Sequence, residues 1–280
     1  MAVVKSSVSS PSIDTHFHVF SASADAVPGA RYRPAYAATF TQWQALAEPC
    51  GVRAGVLVQP SFLGADNSAL LGVLARAPHM RAVVQLLPGT PADVITSLHA
   101  AGVRGVRWNM AGRLDDASWS HPHWPALLAQ VASLGWHLEV HSDVGGLPAA
   151  LHRLPDLGST AISLVLDHFG KPDPARGPAC DTFAAAMALA DRHPVYVKCS
   201  AAYRLQGQDP VALLSRWASL LGTDRLLWGS DWPCTNFEQV ADYPALHALP
   251  AAWAEALGRE IPFDANARKV FYDGADALLA

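Results

Sequence analysis

The feature that most constrains the fold is a regular alternation of short apolar runs with helix-like segments along the 280-residue chain. The runs are rich in β-forming residues, and most are apolar on both faces, as strands of a buried parallel sheet are. Eight strands are predicted: Ile13–Val19, Ala54–Gln59, Arg81–Leu87, Val103–Asn109, His137–Ser142, Ile162–His168, Val195–Ser200 and Arg225–Asp231. Strand–helix alternation repeated in this way predicts a (β/α)8 TIM barrel of the α/β class.

The segments between the strands are rich in alanine and leucine, with apolar residues at helical spacing. Helices are predicted within residues 40–50, 67–78, 123–136, 181–193 and 209–222, and a closing helix within residues 264–279, with Asp264 as its N-cap. The main alternative is an open, doubly wound sheet. No GxGxxG motif follows the first strand, which argues against the dinucleotide-binding form of that fold. Because no linker interrupts the pattern, we predict a single domain spanning residues 1–280.

Composition excludes several classes of protein. The chain is 51% hydrophobic and 16% charged, and its formal net charge of −4 is too small to indicate a nucleic-acid or membrane-surface partner. Four widely spaced cysteines without a CxxC motif indicate reduced thiols rather than a disulfide framework. The first residues lack the apolar stretch of a secretory signal, and no apolar run reaches the ~20 residues that span a bilayer. We therefore expect a cytoplasmic protein that binds neither nucleic acid nor membrane.

Polar residues gather at the predicted ends of several strands, where a barrel of this kind places its active site. The set consists of His16 and His18 in the first strand, His141 at the end of the fifth, His168 at the end of the sixth and Asp231 at the end of the eighth. His16 and His18 share one face of their strand, and the same alternation would place Asp14 beside them. Each residue alone could be a structural hydrogen-bonding group, but together they indicate an active site.

The chemistry that such a set supports is hydrolysis, by either of two schemes. His16, His18 and Asp231, with His141, could hold one divalent metal ion such as zinc, which lowers the pKa of a bound water to about 7. Without a metal, the clustered imidazoles could stabilise the oxyanion that forms when water attacks a carbonyl group. In both schemes Asp231 takes the proton from the attacking water. Residue types alone therefore leave metal dependence open.

Six ordered segments carry a resemblance to a known family: DTHFHVF, GVLVQPSFLGADN, GVRGVRWNMAG, LDHFGKPD, KCSAAYRL and LLWGSDWPCTN. They are similar to segments of the amidohydrolase superfamily, in the branch that contains 2-pyrone-4,6-dicarboxylate lactonases and sugar-acid lactonases. The resemblance implies a distorted (β/α)8 barrel and attack of water on a lactone carbonyl. It also implies that His16, His18 and His168 surround the carbonyl oxygen and that Asp231 is the general base.

The resemblance also implies residues that hold the carboxylates of the substrate. The matching positions are Tyr32, Ser61, Arg107, Lys171, Lys198 and Asn236, with Arg113 and Arg204 as weaker candidates. An alternative role for Arg107 and Lys198 is a structural ion pair inside the barrel.

The chain departs from the family pattern at three places. Lys171 stands where the pyrone lactonases have arginine, and lysine lacks the bidentate fork that suits a carboxylate. His141 stands where they have an aromatic residue that binds no metal, which reopens the question of metal binding. No lysine ends the fourth strand, where two-metal members of the superfamily place a bridging carbamate, so a two-metal centre is disfavoured.

The sequence therefore predicts a hydrolase that opens a small, carboxylate-bearing lactone. Two alternatives stay open: a metal-dependent decarboxylase of the same superfamily, and a non-catalytic barrel that binds a small molecule. The 280-residue length and the lactonase-like segments argue against the decarboxylase. Buried imidazoles and carboxylates destabilise a fold unless they are paired or used, which argues against the non-catalytic barrel.

Overall fold

The computed structural model describes residues 10–272, except positions 156, 158, 159, 161 and 241. Eight parallel strands form one sheet in the order β1 to β8, each strand hydrogen-bonded to the next along the chain. The strands are β1 Ile13–Phe17, β2 Ala54–Val58, β3 Arg81–Val84, β4 Val103–Asn109, β5 His137–His141, β6 Ser163–Leu166, β7 Val195–Cys199 and β8 Leu226–Trp228. The predicted (β/α)8 barrel is thus confirmed.

Helices follow the strands in turn and surround the barrel. They are α1 Phe40–Ala47, α2 Ser68–Leu74, α3 Ala92–Ala100, α4 Trp124–Ser133, α5 Leu147–His152, α6 Asp181–Ala190, α7 Pro210–Leu221, α8 Tyr243–Leu257 and α9 Phe263–Phe271. The sequence analysis missed α3, α5 and α8, of which α5 has only six residues and α8 contains Pro250. Local capping fixes several of their ends, as where Asp209 accepts a hydrogen bond from the N–H of Val211 at the start of α7. None of the described helices is long and apolar enough to span a bilayer.

The closing helix differs from the prediction at its start. Helix α9 begins at Phe263, so Asp264 lies inside the helix and is not its N-cap. The Asp264 carboxylate instead accepts hydrogen bonds from the main-chain N–H groups of Ser12, at 2.9 Å, and Ile13, at 3.1 Å, which ties α9 to the start of β1. The predicted part of this helix beyond residue 272 lies outside the described residues.

Seven of the eight strands end earlier than predicted, and three candidate site residues, His18, His168 and Asp231, therefore lie just beyond β1, β6 and β8. His168 and Asp231 have φ values of 52° and 58°, in the left-handed region that a strand cannot continue through. The N–H of Asp231 donates to the carbonyl of His16 at 2.8 Å, and the N–H of His18 donates to the carbonyl of Trp232 at 2.8 Å. These two hydrogen bonds join β1 to the chain that follows β8 and close the barrel above the strand ends.

The first strand contains a β-bulge that turns Asp14 away from the two histidines. Asp14 pairs with Gly55 of β2 and Phe17 with Leu57, so three steps along β1 match two along β2. A bulge breaks the alternation of side chains along a strand. The Asp14 carboxylate consequently faces the helix layer, where it accepts hydrogen bonds from Trp43 of α1 at 3.1 Å and Tyr243 of α8 at 3.0 Å. The expectation that Asp14 shares a face with His16 and His18 is therefore wrong.

Helix α9 fills the end of the barrel at which the strands begin. Phe271 lies in one apolar cluster with Ile13, Val56, Val165 and Leu227, side chains from four strands. Its ring packs edge to face against the imidazole of His137 at 5.0 Å between centroids. The lower part of the barrel is thus a sealed apolar plug.

A layer of buried charges lies above this plug. Lys198 forms an ion pair with Glu139, and Arg107 forms one with Asp167 at 3.1 Å. Burial and the neighbouring Asp167 would raise the pKa of Glu139, but Lys198 and His137 offset both and hold that pKa below its ordinary value. All four side chains are buried. For Lys198, the structure thus matches the alternative role of a structural ion pair.

We expect Lys198→Met to destabilise the fold by about 3–5 kcal/mol, because it leaves Glu139 as an uncompensated buried charge. Urea unfolding followed by circular dichroism measures the loss. The matched control is the double variant Lys198→Met/Glu139→Gln, which removes both charges and should recover most of the stability. A single variant as stable as the native protein would show that this pair does not support the fold.

Candidate active site

A pocket of about 130 Å³ opens at the end of the barrel where the strands terminate. Its lining includes most of the predicted site residues: His18, Tyr32, Ser61, Arg107, His141, His168, Lys171, Asp231 and Asn236, together with Arg204. Two predicted residues do not line it, because His16 and Lys198 are fully buried beneath it. The weaker candidate Arg113 lies outside the pocket and pairs with Asp116 at 2.6 Å.

The carboxylate of Asp231 occupies the floor of the pocket, and its two oxygens have different surroundings. Oδ2 accepts hydrogen bonds from the hydroxyl of Tyr203 at 2.6 Å and from Nε of Arg204 at 2.9 Å. Oδ1 faces three imidazoles, with Nε2 of His18 at 3.3 Å, Nε2 of His16 at 3.6 Å and Nε2 of His168 at 3.9 Å. One oxygen is therefore anchored, and the other faces the histidine cluster.

The neighbouring Arg204 keeps Asp231 ionised. Burial alone would raise the pKa of Asp231, but the Arg204 guanidinium that pairs with its carboxylate holds that pKa well below its ordinary value. Burial also lowers the pKa of His18 and His168, and it lowers the pKa of His141 to about 3. At neutral pH the pocket therefore contains a carboxylate beside neutral rings.

The tautomer of His18 follows from its hydrogen bond. Nδ1 of His18 lies 2.7 Å from the carbonyl oxygen of Val58, which can only accept. Nδ1 must therefore carry the hydrogen, and in the neutral ring Nε2 presents a lone pair towards Asp231. A lone pair and a carboxylate oxygen 3.3 Å apart repel each other unless a cation or a proton lies between them.

His16 lies deeper and is held by the buried charge layer. Its Nδ1 is 3.2 Å from Nζ of Lys198 and 3.3 Å from Oδ1 of Asp167. Its Nε2 is buried and has no hydrogen-bond partner among the described residues. Such an unpartnered ring nitrogen points to a ligand that the protein alone does not supply.

These atoms fit a single metal ion. The ligand atoms of His16, His18 and Asp231 all lie within 4.8 Å of one another, and those of His16, Asp167 and His168 form a second such group. Ligands at about 2.0–2.2 Å from one zinc ion are separated by distances of this size, and two imidazoles with a carboxylate are a common zinc set. Neither group contains His141, whose Nδ1 lies 3.5 Å from Oδ2 of Asp167. Asp167 was not predicted as a ligand, and its place directly before His168 was the available signal.

The wall of the pocket is strongly cationic, and only part of this charge is neutralised by the protein. Arg107 and Arg204 are paired with Asp167 and Asp231. Lys171 and Arg31 also line the pocket, and among the described carboxylates none forms an ion pair with either. Burial, with the positive charges of Arg204 and Arg31, lowers the pKa of Lys171 to about 8. The lining of the pocket therefore carries more positive than negative charge.

The structure also adds polar lining residues that the sequence analysis missed: Arg31, Asn109 and Thr235. Arg31 lies in the loop between β1 and α1, directly before Tyr32. The hydroxyls of Tyr32 and Tyr36 both donate to Glu238, which connects this loop to the one before α8. Loops give no periodic signal, so the adjacency to Tyr32 was the one hint of a role for Arg31.

The chain is similar to known hydrolases over most of its length. The chain is 30% identical over 242 residues to a 2-pyrone-4,6-dicarbaxylate hydrolase of Comamonas testosteroni, covering 81% of this chain and 78% of that one. It is 31% identical over 277 residues to a 4-sulfomuconolactone hydrolase of Rhizobium radiobacter, covering 91% and 88%. A crystal structure of a probable 2-pyrone-4,6-dicarboxylic acid hydrolase from Acinetobacter baumannii, with citric acid bound, superposes with a TM-score of 0.79 at 29% identity, covering 93% and 98%.

The match to the family as a whole runs nearly from end to end. The model of the amidohydrolase family matches residues 13–280, from the first residue of β1 onwards. The resemblance seen in the six segments is thereby confirmed, and the chain belongs to the amidohydrolase family.

Proposed function

We propose that this protein is a lactonase that opens the ring of a small lactone carrying a carboxylate. The observation that carries the proposal is the Asp231 carboxylate, which faces three imidazoles at the floor of a cationic pocket. The two relatives at about 30% identity are named as hydrolases of lactones, which gives the decarboxylase alternative less support.

The substrate carboxylate would bind to Lys171 and Arg31, the two cations in the pocket that lack a carboxylate partner in the described part of the chain. A charge-assisted hydrogen bond to such a group contributes roughly 1.5–3 kcal/mol. A relative that hydrolyses a dicarboxylate and a similar structure with bound citric acid both support an acidic ligand. The same pocket is also lined by Tyr32, Ser61 and Asn236. These side chains would make the remaining contacts to the lactone ring.

The proton transfers would be carried by Asp231. The oxygen of water attacks the lactone carbonyl carbon, and Oδ1 of Asp231 accepts the proton, since Oδ2 is occupied by Tyr203 and Arg204. The tetrahedral intermediate then collapses, the bond to the ring oxygen breaks, and protonated Asp231 returns its proton to that oxygen. Ionised Asp231 is present throughout the neutral range, so the base form is always available.

One divalent ion, zinc by its donor set, would be held by His16, His18 and Asp231. When bound, such an ion polarises a carbonyl and acidifies water. The lone pair that His18 presents at Nε2 and the unpartnered Nε2 of His16 both favour this binding. His168 lies beside them, with its Nδ1 2.8 Å from Oγ of Ser200. With the hydroxyl of Ser200 as the donor, Nε2 of His168 carries the ring hydrogen and can donate a hydrogen bond to the carbonyl oxygen of the lactone.

We expect Asp231→Asn to lower kcat by about 10²–10⁴-fold, the usual contribution of a general base. Turnover of an acidic lactone measures the change, and circular dichroism checks the fold. The matched control is Asp242→Asn at the N-cap of α8, where asparagine caps equally well, so activity should stay native. Near-native kcat in Asp231→Asn would refute the assignment.

The acidic-lactone idea predicts a specific pH dependence. Lys171 is charged below its pKa of about 8 and loses that charge as pH rises. The kcat/KM for an acidic lactone should therefore fall by up to about tenfold per pH unit above pH 8, while that for a neutral lactone should not. Lys171→Arg stays charged and should abolish the fall, whereas Lys171→Met should raise KM by about ten- to a hundredfold. Equal pH profiles for both lactones would contradict the role of Lys171.

The metal assignment predicts one equivalent of zinc per chain by elemental analysis. His18→Ala should lose the metal, whereas His141→Ala should keep it, because His141 belongs to neither ligand group. A chelator should remove metal and activity together. Two equivalents would refute a mononuclear site, and full activity in metal-depleted protein would favour the scheme in which the imidazoles act alone.

A further inference from the structure

A second cavity, of about 570 Å³, adjoins the catalytic pocket at the same end of the barrel. It lies among the loops that follow β1, β2, β3 and β4, and we call it the side cavity. Arg31, Ser61 and Asn109 line both spaces, so the two lie side by side. A ligand bound in the catalytic pocket needs to extend only past these shared residues to reach the side cavity.

The side cavity differs chemically from the pocket beside it. Its wall is formed largely by aliphatic groups, including Val27, Ala30, Ala65 and Leu87. Leu87 is 61% exposed, more than any other large apolar side chain in the described residues. Leu87 lines one cavity with Val27, Ala30 and Ala65, and a contiguous apolar surface rimmed by polar residues is typical of a ligand-binding groove.

The charges at the far edge of the side cavity neutralise each other. Arg113 and Asp116 line it and form an ion pair at 2.6 Å. Beyond Arg31, which belongs to both spaces, the side cavity thus offers no uncompensated charge to a ligand. An uncharged group suits it better than a second carboxylate.

The size of the two spaces supports the same conclusion. Ligand pockets usually measure about 300–1,000 Å³, so 130 Å³ alone is small. Together the pocket and the side cavity fall within the usual range. The geometry indicates a ligand with an acidic ring in one space and an apolar extension in the other.

We propose that the side cavity is a subsite for an uncharged aliphatic or aromatic substituent of the substrate. The ligand class would be a carboxylate-bearing lactone whose ring carries such an arm on the side facing Ser61 and Asn109. The hydrolysis of this ligand rests on the proposed lactonase function, whereas its binding does not.

The kinetic test uses a matched series of acidic lactones whose ring carries hydrogen, a propyl chain or a phenyl group. The kcat/KM should rise with the arm, by up to about fourfold per methylene group buried. Ala65→Phe, which fills the side cavity, should abolish this gain and leave the unsubstituted lactone unchanged. Leu87→Ser should reduce the gain, whereas the control Leu46→Ser, at an exposed leucine of α1 outside the cavity, should not.

A binding test separates this inference from the lactonase proposal. Calorimetric titration with ring carboxylic acids that contain no ester, with and without the same arms, measures affinity in the absence of hydrolysis. Tighter binding of the substituted acids, lost in Ala65→Phe, supports the subsite even if no lactone is turned over. Equal affinities with and without the arm, or a gain that survives Ala65→Phe, would overturn it even if unsubstituted lactones are good substrates.

Discussion

The buried carboxylate of Asp14 is the contact on which the geometry of the active site depends. It accepts five hydrogen bonds, from the main-chain N–H groups of His16 and Ser230 and from the side chains of Trp43, Ser230 and Tyr243. These donors come from β1, from the chain after β8 and from two helices. One side chain therefore fixes the bulge that turns His16 and His18 inwards and holds the segment that carries Asp231. His16, His18 and Asp231 lie close together because the chain segments that carry them are both hydrogen-bonded to the carboxylate of Asp14.

Asp231 shows the complementary arrangement, since only one of its oxygens is satisfied by fixed donors. Its backbone and that of His168 lie at positive φ, which costs about 1–3 kcal/mol for a residue other than glycine. Lys171 and Asn236, which also line the pocket, have φ values of 43° and 67°. The rigid barrel compensates this local cost. Such turns aim side chains at the pocket that a regular strand or helix would direct elsewhere.

The sequence predicted the barrel and the polar residues at the strand ends because both follow from periodic patterns, whereas Tyr32, Ser61, Lys171 and Asn236 were predicted only from the resemblance to the family. Strand ends mark one face of a barrel, so His168 and Asp231 could be placed there without a structure. The bulge at Asp14 could not be predicted, because DTHFH alternates as an ordinary strand would. The buried partner of Lys198 was equally hidden, since Glu139 comes from a strand that is distant in sequence. Arg31 lies in a loop, and the spacing of residues in a loop does not predict which way a side chain points.

Helix α9 closes one end of the barrel, so the active-site pocket opens only at the other end, where the strands terminate. Phe271 and the residues around it fill the lower end, so water, lactone and product all exchange through the loops above the strands. Opening a lactone creates a new carboxylate, and the departing product is thus more negative than the molecule that entered. Under the proposed function, it would leave past the same cations that bind the carboxylate of the lactone, before the next lactone can bind. Product release and substrate binding therefore follow one another through the same opening, and kcat cannot exceed the rate at which the product leaves.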